Sequence, residues 1–169
     1  MVVTGNTGID AVLSVAKSQG SEWYPEHQGR VVLLTTHRRE NWGKPQEEIA
    51  QACRELVREF KDVLLVVPMH RNPAVRETLT SILGGEERVQ LIEPPDYAPF
   101  VKLLARAHLA LTDSGGVQEE APSLRVPVLV LRETTERPEG VEAGVAKLVG
   151  TDQGGIYAEA ARLLSDEVA

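Results

Sequence analysis

The chain has a single cysteine, Cys53, in 169 residues. That excludes an internal disulfide and leaves one isolated thiol. Cys53 lies beside Ala52 and Leu56 in an amphipathic stretch, where core packing is the favoured reading over reactivity. Basic charge is also scarce: 18 Lys and Arg against 25 Asp and Glu give a formal net charge of -7. A general nucleic-acid binder carries a basic face that neutralises phosphates, so no nucleic-acid partner is expected and any bound phosphate must be held locally. Long hydrophobic runs are missing. The longest, residues 31–34 and 63–67, fall far short of the roughly 20 apolar residues that cross a bilayer. No charged-then-apolar leader opens the sequence. The expectation is a cytoplasmic protein with no membrane partner. Internal repeats, low-complexity tracts and linkers are likewise absent, and the length fits one domain over residues 1–169.

What is present is an alternation of apolar runs and helical patterns. Residues 31–36, 63–68, 88–92, 109–112 and 128–131 read as strands with little polar alternation, the pattern of a parallel sheet covered on both faces. Between the first two, a helix opening at Pro45 carries Ile49, Ala52, Cys53, Leu56, Val57 and Phe60 on one stripe. Asn72 and Pro73 signal a helix start, Val75, Leu79 and Ile82 line its face, and Gly84 and Gly85 end it. Asp96 is placed to cap a helix through Val101, Leu104 and Ala107. Outer helices are expected over 7–18 and, after Asp152, over 153–165. Strict alternation predicts right-handed crossovers and an α/β, doubly wound, Rossmann-like sheet. The longest irregular stretch is expected at 133–144.

Ligands of such sheets bind outside the carboxyl ends of the strands, where strand order reverses. Five polar segments follow the five expected strands: Thr36-His37-Arg38-Arg39-Glu40-Asn41, Met69-His70-Arg71-Asn72, Glu93-Pro94-Pro95-Asp96-Tyr97, Asp113-Ser114-Gly115-Gly116 and Arg132-Glu133-Thr134-Thr135-Glu136-Arg137. The fourth has an anion-binding logic. Gly115 and Gly116 let backbone approach closely, Ser114 adds a hydroxyl, and the next helix presents unpaired N–H groups. A plain turn with a serine cap is the competing reading. A carboxylate one helical turn later can accept from ribose hydroxyls, and spacing does not choose between Glu119 and Glu120.

The cations beside His37, namely Arg38 and Arg39, repel unless an anion compensates them; a pyrophosphate would do so, as would Glu40 on a solvated loop. His70 reads as a packed structural histidine more than as a reactive one. Arg132 and Arg137 are placed either to clamp phosphates through forked hydrogen bonds or to pair with Glu133, Glu136 or Glu139. Phe100 either walls a base or packs with Leu103 and Leu104.

Taken together, Thr-Gly-Asn-Thr at 4–7, His-Arg-Arg-Glu-Asn at 37–41, Glu-Pro-Pro-Asp-Tyr-Ala-Pro-Phe at 93–100, Asp-Ser-Gly-Gly-Val-Gln-Glu-Glu-Ala-Pro at 113–122 and Arg-Glu-Thr-Thr-Glu-Arg-Pro-Glu at 132–139 resemble the non-hydrolysing UDP-N-acetylglucosamine 2-epimerases. The resemblance runs through nearly the whole chain. It implies a glycosyltransferase-B-like parent of two Rossmann-like domains, of which this is the C-terminal half, in a homodimeric enzyme.

It also implies an isomerase that eliminates UDP and adds it back, interconverting UDP-N-acetylglucosamine and UDP-N-acetylmannosamine without a redox cofactor or metal. By the same resemblance Ser114, Gly115 and Gly116 hold the diphosphate, Glu120 the ribose, the backbone near Phe100 the uracil and Arg137 the phosphates, while His37 matches an active-site histidine. One departure is Pro95, where some relatives carry a glutamine near the base and proline supplies no N–H. The carboxylates that move protons belong to the N-terminal domain of the family, so the isolated half is expected to bind UDP without turnover. Competing expectations are a stand-alone nucleotide-binding module and half of a hydrolysing epimerase or a glycosyltransferase.

Overall fold

The computed structural model describes residues 23–132 and 146–166, with Ser14 alone before them. The expected helix at 7–18, the motif at 4–7 and the loop at 133–144 lie outside the described residues. Strands β1 (Val31–Thr35), β2 (Leu64–Pro68), β3 (Val89–Ile92), β4 (Leu109–Thr112), β5 (Val128–Val130) and β6 (Ala146–Leu148) form one sheet. Its order is β3-β2-β1-β4-β5-β6, and each neighbouring pair is parallel. This is the doubly wound, Rossmann-like sheet that the alternation predicts. Five strands fall where the sequence places them. The sixth, Ala-Lys-Leu, carries no β-branched residue and exposes Lys147, so its sequence has no strand signature.

Alternating side chains explain why the strands look uniformly apolar. Val32, Leu34, Leu65, Val67, Leu109, Leu111 and Leu129 face one buried cluster, and Val31, Leu33, Leu64, Val66, Ala110, Val128 and Val130 face another. Helices α1 (Lys44–Glu59), α2 (Pro73–Leu83) and α5 (Gln153–Asp166) supply Ile49, Leu56, Val75, Leu79, Ile156 and Leu164 to the first cluster. Helices α3 (Tyr97–Arg106) and α4 (Gly115–Ser123) supply Leu103, Leu104, Val117 and Ala121 to the second. Each fully buried aliphatic side chain contributes roughly 1.5–3 kcal/mol of transfer free energy. Cys53 is fully buried, and desolvation pushes its thiol up to about 12, so it is a packing residue.

The caps largely follow the reading. Asn72 accepts from the Ala74 N–H at 2.8 Å, and Asp152 accepts from the Gly155 N–H at 2.8 Å. Asp96 is the exception: it occupies the N-cap position of α3, but its side chain makes no capping bond. At the start of α1, Gly43 adopts φ 86° and ψ -133°, a conformation only glycine takes without strain.

Candidate functional site

Because every strand is parallel, all carboxyl ends share one edge, and the chain reverses its direction of travel across the sheet between β1 and β4. These two strands pair with Thr35 opposite Thr112, and the two hydroxyls lie 2.6 Å apart. The segments that leave them meet at the switch point, where ligands bind in such folds.

Asp113 organises the meeting. Its side chain is 0% exposed. Oδ2 accepts from Thr36 Oγ1 at 3.0 Å, from the His37 N–H at 3.1 Å, from the Arg38 N–H at 3.0 Å and from Asn41 Nδ2 at 3.0 Å. Oδ1 also accepts from the His37 N–H at 3.1 Å, and it lies 3.3 Å from His37 Nδ1. The Asp113 carbonyl accepts from Arg38 Nε at 3.2 Å. A buried carboxylate is tolerated only with such a donor set.

Of the two compensations expected for the basic loop, the one by Glu40 meets a different contact: Glu40 Oε1 accepts from Arg132 Nε at 2.9 Å. Arg39 lies over the Trp42 ring at 5.7 Å. The Asp113 carboxylate lies 3.3 Å from His37 Nδ1 and meets Arg38 through its backbone N–H, while the Arg38 guanidinium donates to the Asp113 carbonyl. Arg132 is 10% exposed, and its partner Glu40 was not among those expected for it.

On the α4 side, four N–H groups at the helix start lack intrahelical acceptors by geometry. Ser114 N–H reaches Thr112 Oγ1 at 2.9 Å, and Val117 N–H reaches Ser114 Oγ at 3.5 Å. Those of Gly115 and Gly116 have no acceptor among the described residues. Ser114 is thus the N-cap, as the plain-turn reading has it, yet its hydroxyl proton remains available to donate. A Cβ on Gly116 would meet nothing nearer than Ser114 Oγ at 3.8 Å. Folding does not require glycine there, and the space above it is open.

That space is a cleft of about 310 Å³ lined by Thr35, His37, Tyr97, Phe100, Ser114, Gly116, Val117 and Glu120. Of the two carboxylates that spacing left open, Glu120 is among the residues lining the cleft. Burial, reinforced by the Glu119 charge, raises the Glu120 carboxyl above its ordinary range. Phe100 lines the cleft and packs against the second core cluster, so the core reading holds for it. Tyr97, 50% exposed, was not singled out in the sequence, although it stands inside a quoted motif; burial and the Glu120 charge raise its phenol.

His70 is exposed rather than packed under its loop. Its ring stacks on that of His37 at 6.4 Å between centroids and 18° between planes, and its Nδ1 accepts from the Asn72 N–H at 3.2 Å. Through the His37 stacking and the Glu40 pair, the loops after β2 and β5 join the same rim. Arg137 lies outside the described residues. Among the described residues no helix is long and apolar enough to cross a membrane.

A larger hollow of about 370 Å³, lined by residues including His108, Arg125 and Leu164, sits at the opposite edge, at the amino ends of β4 and β5. Among the described residues that line it, none belongs to a helix N-terminus of the kind that distinguishes the first cleft.

The family model of UDP-N-acetylglucosamine 2-epimerase matches residues 1–169. UDP-N-acetylglucosamine 2-epimerase of Bacillus subtilis (strain 168) is 53% identical over 166 residues, covering 97% of this chain and 44% of that protein. The S. aureus MnaA-UDP co-structure superposes with a TM-score of 0.91 at 49% identity, covering 98% of this chain and 45% of the other. UDP-GlcNAc 2-epimerase from Neisseria meningitidis, solved bound to UDP-GlcNAc, gives 0.86 at 41% identity over 97% of this chain and 47% of its own. The chain spans about half the length of the curated relatives it matches. With a full-length family match and a fold shared with its solved members, the chain belongs to the UDP-N-acetylglucosamine 2-epimerase family.

Proposed function

We propose that this chain is the UDP-binding half of a non-hydrolysing UDP-N-acetylglucosamine 2-epimerase with a glycosyltransferase-B-like, two-domain parent. The observation that carries the proposal is the pair of N–H groups on Gly115 and Gly116 that have no acceptor among the described residues, with open space beside Gly116, at the switch point of the sheet. The diphosphate sits on these N–H groups and the Ser114 hydroxyl, helped by the positive end of α4. Glu120, one helical turn further on, accepts from the ribose hydroxyls. Phe100 walls the base, Arg137 reaches the phosphates, and His37 faces the sugar from the other lip. The solved relatives that hold UDP and UDP-GlcNAc support this ligand class.

The chemistry follows from what such a site stabilises. The C1–O bond to UDP breaks as the C2 proton leaves, giving 2-acetamidoglucal. UDP then adds back to C1, and C2 regains its proton on the opposite face. The N–H pair lowers the barrier by holding the charge that collects on the departing diphosphate. Proton transfer at C2 needs acid and base groups, and these come from the partner half. The chain alone therefore binds UDP and does not turn over UDP-N-acetylglucosamine.

Calorimetric titration with UDP and with uridine tests the assignment. Charge-assisted hydrogen bonds to the diphosphate are worth about 1.5–3 kcal/mol, so UDP binds more than about 10-fold tighter than uridine. Equal affinities would remove the diphosphate from the turn. Rapid formation of UDP-N-acetylmannosamine by the chain alone would refute its inactivity.

A further inference from the structure

The geometry points to Asp113 as a positioning residue for His37: its buried carboxylate fixes the imidazole as the Nδ1–H tautomer and leaves the Nε2 lone pair for the cleft. This rests on the proposed function only in that His37 is taken to face the substrate.

Every side-chain acceptor bond of Asp113 comes from one stretch, residues 36–41. Four donors converge on Oδ2. Oδ1 is treated differently: it shares the His37 N–H and otherwise faces only His37 Nδ1, at 3.3 Å. That separation is longer than an ordinary N–H···O bond of about 2.9 Å, and a ring on a side chain that is 45% exposed closes it by a small rotation. An ionised carboxylate offers acceptors and no donor, so the atom it faces must be N–H. The second ring nitrogen lies across the imidazole from the first and has no hydrogen-bond partner among the described residues. His70 stacks on the ring and limits its tilt. The assembly resembles in logic any histidine whose tautomer is set by the hydrogen bond at its other nitrogen.

A purely structural role for Asp113, pinning the loop after β1 to β4, accounts for the four bonds at Oδ2. It does not account for the placement of Nδ1 opposite Oδ1. The Asp113→Asn variant separates the two roles. An amide whose oxygen takes the Oδ2 position keeps all four of those donors and places an NH2 group against Nδ1. That group donates, so Nδ1 loses its proton to Nε2 and the nitrogen facing the cleft becomes a donor.

The test is the nitrogen NMR spectrum of the histidine rings in this chain at about pH 9, where imidazoles are neutral, with His37 assigned by its loss in His37→Gln. The expected result is a protonated Nδ1 and a bare Nε2 in the wild-type chain, reversed in Asp113→Asn. Thr36→Val removes one Oδ2 donor and keeps the wild-type pattern. A wild-type His37 that carries its proton on Nε2 overturns the proposal, even if Asp113→Asn fails to fold. So does a reversal in Thr36→Val, because loop disorder alone would then produce it.

UDP titration of the same samples keeps the two readings apart. A wild-type chain that shows the expected tautomer without binding UDP contradicts the proposed function and leaves the role of Asp113 standing. In the full-length enzyme, Asp113→Asn lowers kcat by on the order of 10²–10⁴, the usual worth of a positioned general acid or base, with little change in KM. A matched rise in KM with unchanged kcat argues for loop positioning alone.

Discussion

Glu40 Oε1 accepts a 2.9 Å hydrogen bond from Arg132 Nε, joining the loop after β1 to the segment that follows β5 across the mouth of the site. The pair is asymmetric, with Arg132 10% and Glu40 54% exposed. Removing Glu40 takes one charge-assisted hydrogen bond from a mostly buried guanidinium, so Glu40→Ala is expected to destabilise the chain by about 1 kcal/mol, less than the 3–5 kcal/mol of a fully buried pair. A double-mutant cycle with Arg132→Met, read by urea denaturation, checks this: the coupling should be positive and above about 0.5 kcal/mol. A coupling of zero would make the pair an incidental surface contact.

Gly116→Ala separates what folding needs from what the ligand needs. The added Cβ meets no atom closer than 3.8 Å, and alanine is the better helix former by about 1 kcal/mol. The variant should unfold at an equal or higher temperature. UDP affinity should fall at least 10-fold, because the methyl group occupies the approach to the open N–H groups. Retained affinity would mean that the diphosphate lies elsewhere.

Glu120 gives a pH-dependent prediction. Burial, then Glu119, raises its carboxyl in the folded chain, so between the ordinary unfolded value of about 4.3 and the raised folded value the native state binds more protons. Stability contributed by this group is full below that window and is lost as pH rises through it. Glu120→Gln should therefore stabilise the unliganded chain at pH 7 by roughly 0.5 kcal/mol or less, given its partial exposure, and change nothing at about pH 4. The same change weakens UDP binding through lost ribose bonds. Thermal unfolding at the two pH values, with and without UDP, reads both effects; stabilisation that persists at the lower pH would rule out charge burial as the cause.

Asp62 works in the opposite sense. Its hydrogen bonds from Arg30, at 2.7 and 3.0 Å, hold the carboxyl at about 2 despite partial desolvation. The contribution is present above the unfolded value of about 3.9 and lost as pH falls toward 2. With the Asp62 side chain 47% exposed, Asp62→Asn should cost less than about 1 kcal/mol at pH 7. The difference from wild type should shrink as pH drops from 4 to 2, measured by urea midpoints. A constant difference would assign the loss to packing.

Much of the sheet was legible because buried parallel strands need unbroken apolar runs, and Val31–Thr35, Leu64–Pro68 and Leu109–Thr112 have them. Ala146–Leu148 was not, since an edge strand of three residues needs no such run. In the site, Ser114, Gly116, Phe100 and His37 could be picked out from residue type and position, Glu120 only as one of a pair with Glu119, and the five share one cleft. The partner choices could not. Nothing in the spacing tells Glu40 to reach Arg132, 92 positions away, or gathers residues 36–41 around Asp113. Those contacts depend on β1 and β4 lying side by side, a fact of topology. A signal for Asp113 did exist: an ionisable residue directly after a wholly buried strand must find donors.

The most direct test of the central claim is an amide NMR titration of this chain with UDP. The account predicts saturable shifts at Ser114, Gly115, Gly116 and Val117, with Glu120 and His37 following. Saturable binding that leaves these amides unmoved and shifts His108 and Arg125 at the opposite edge would contradict it.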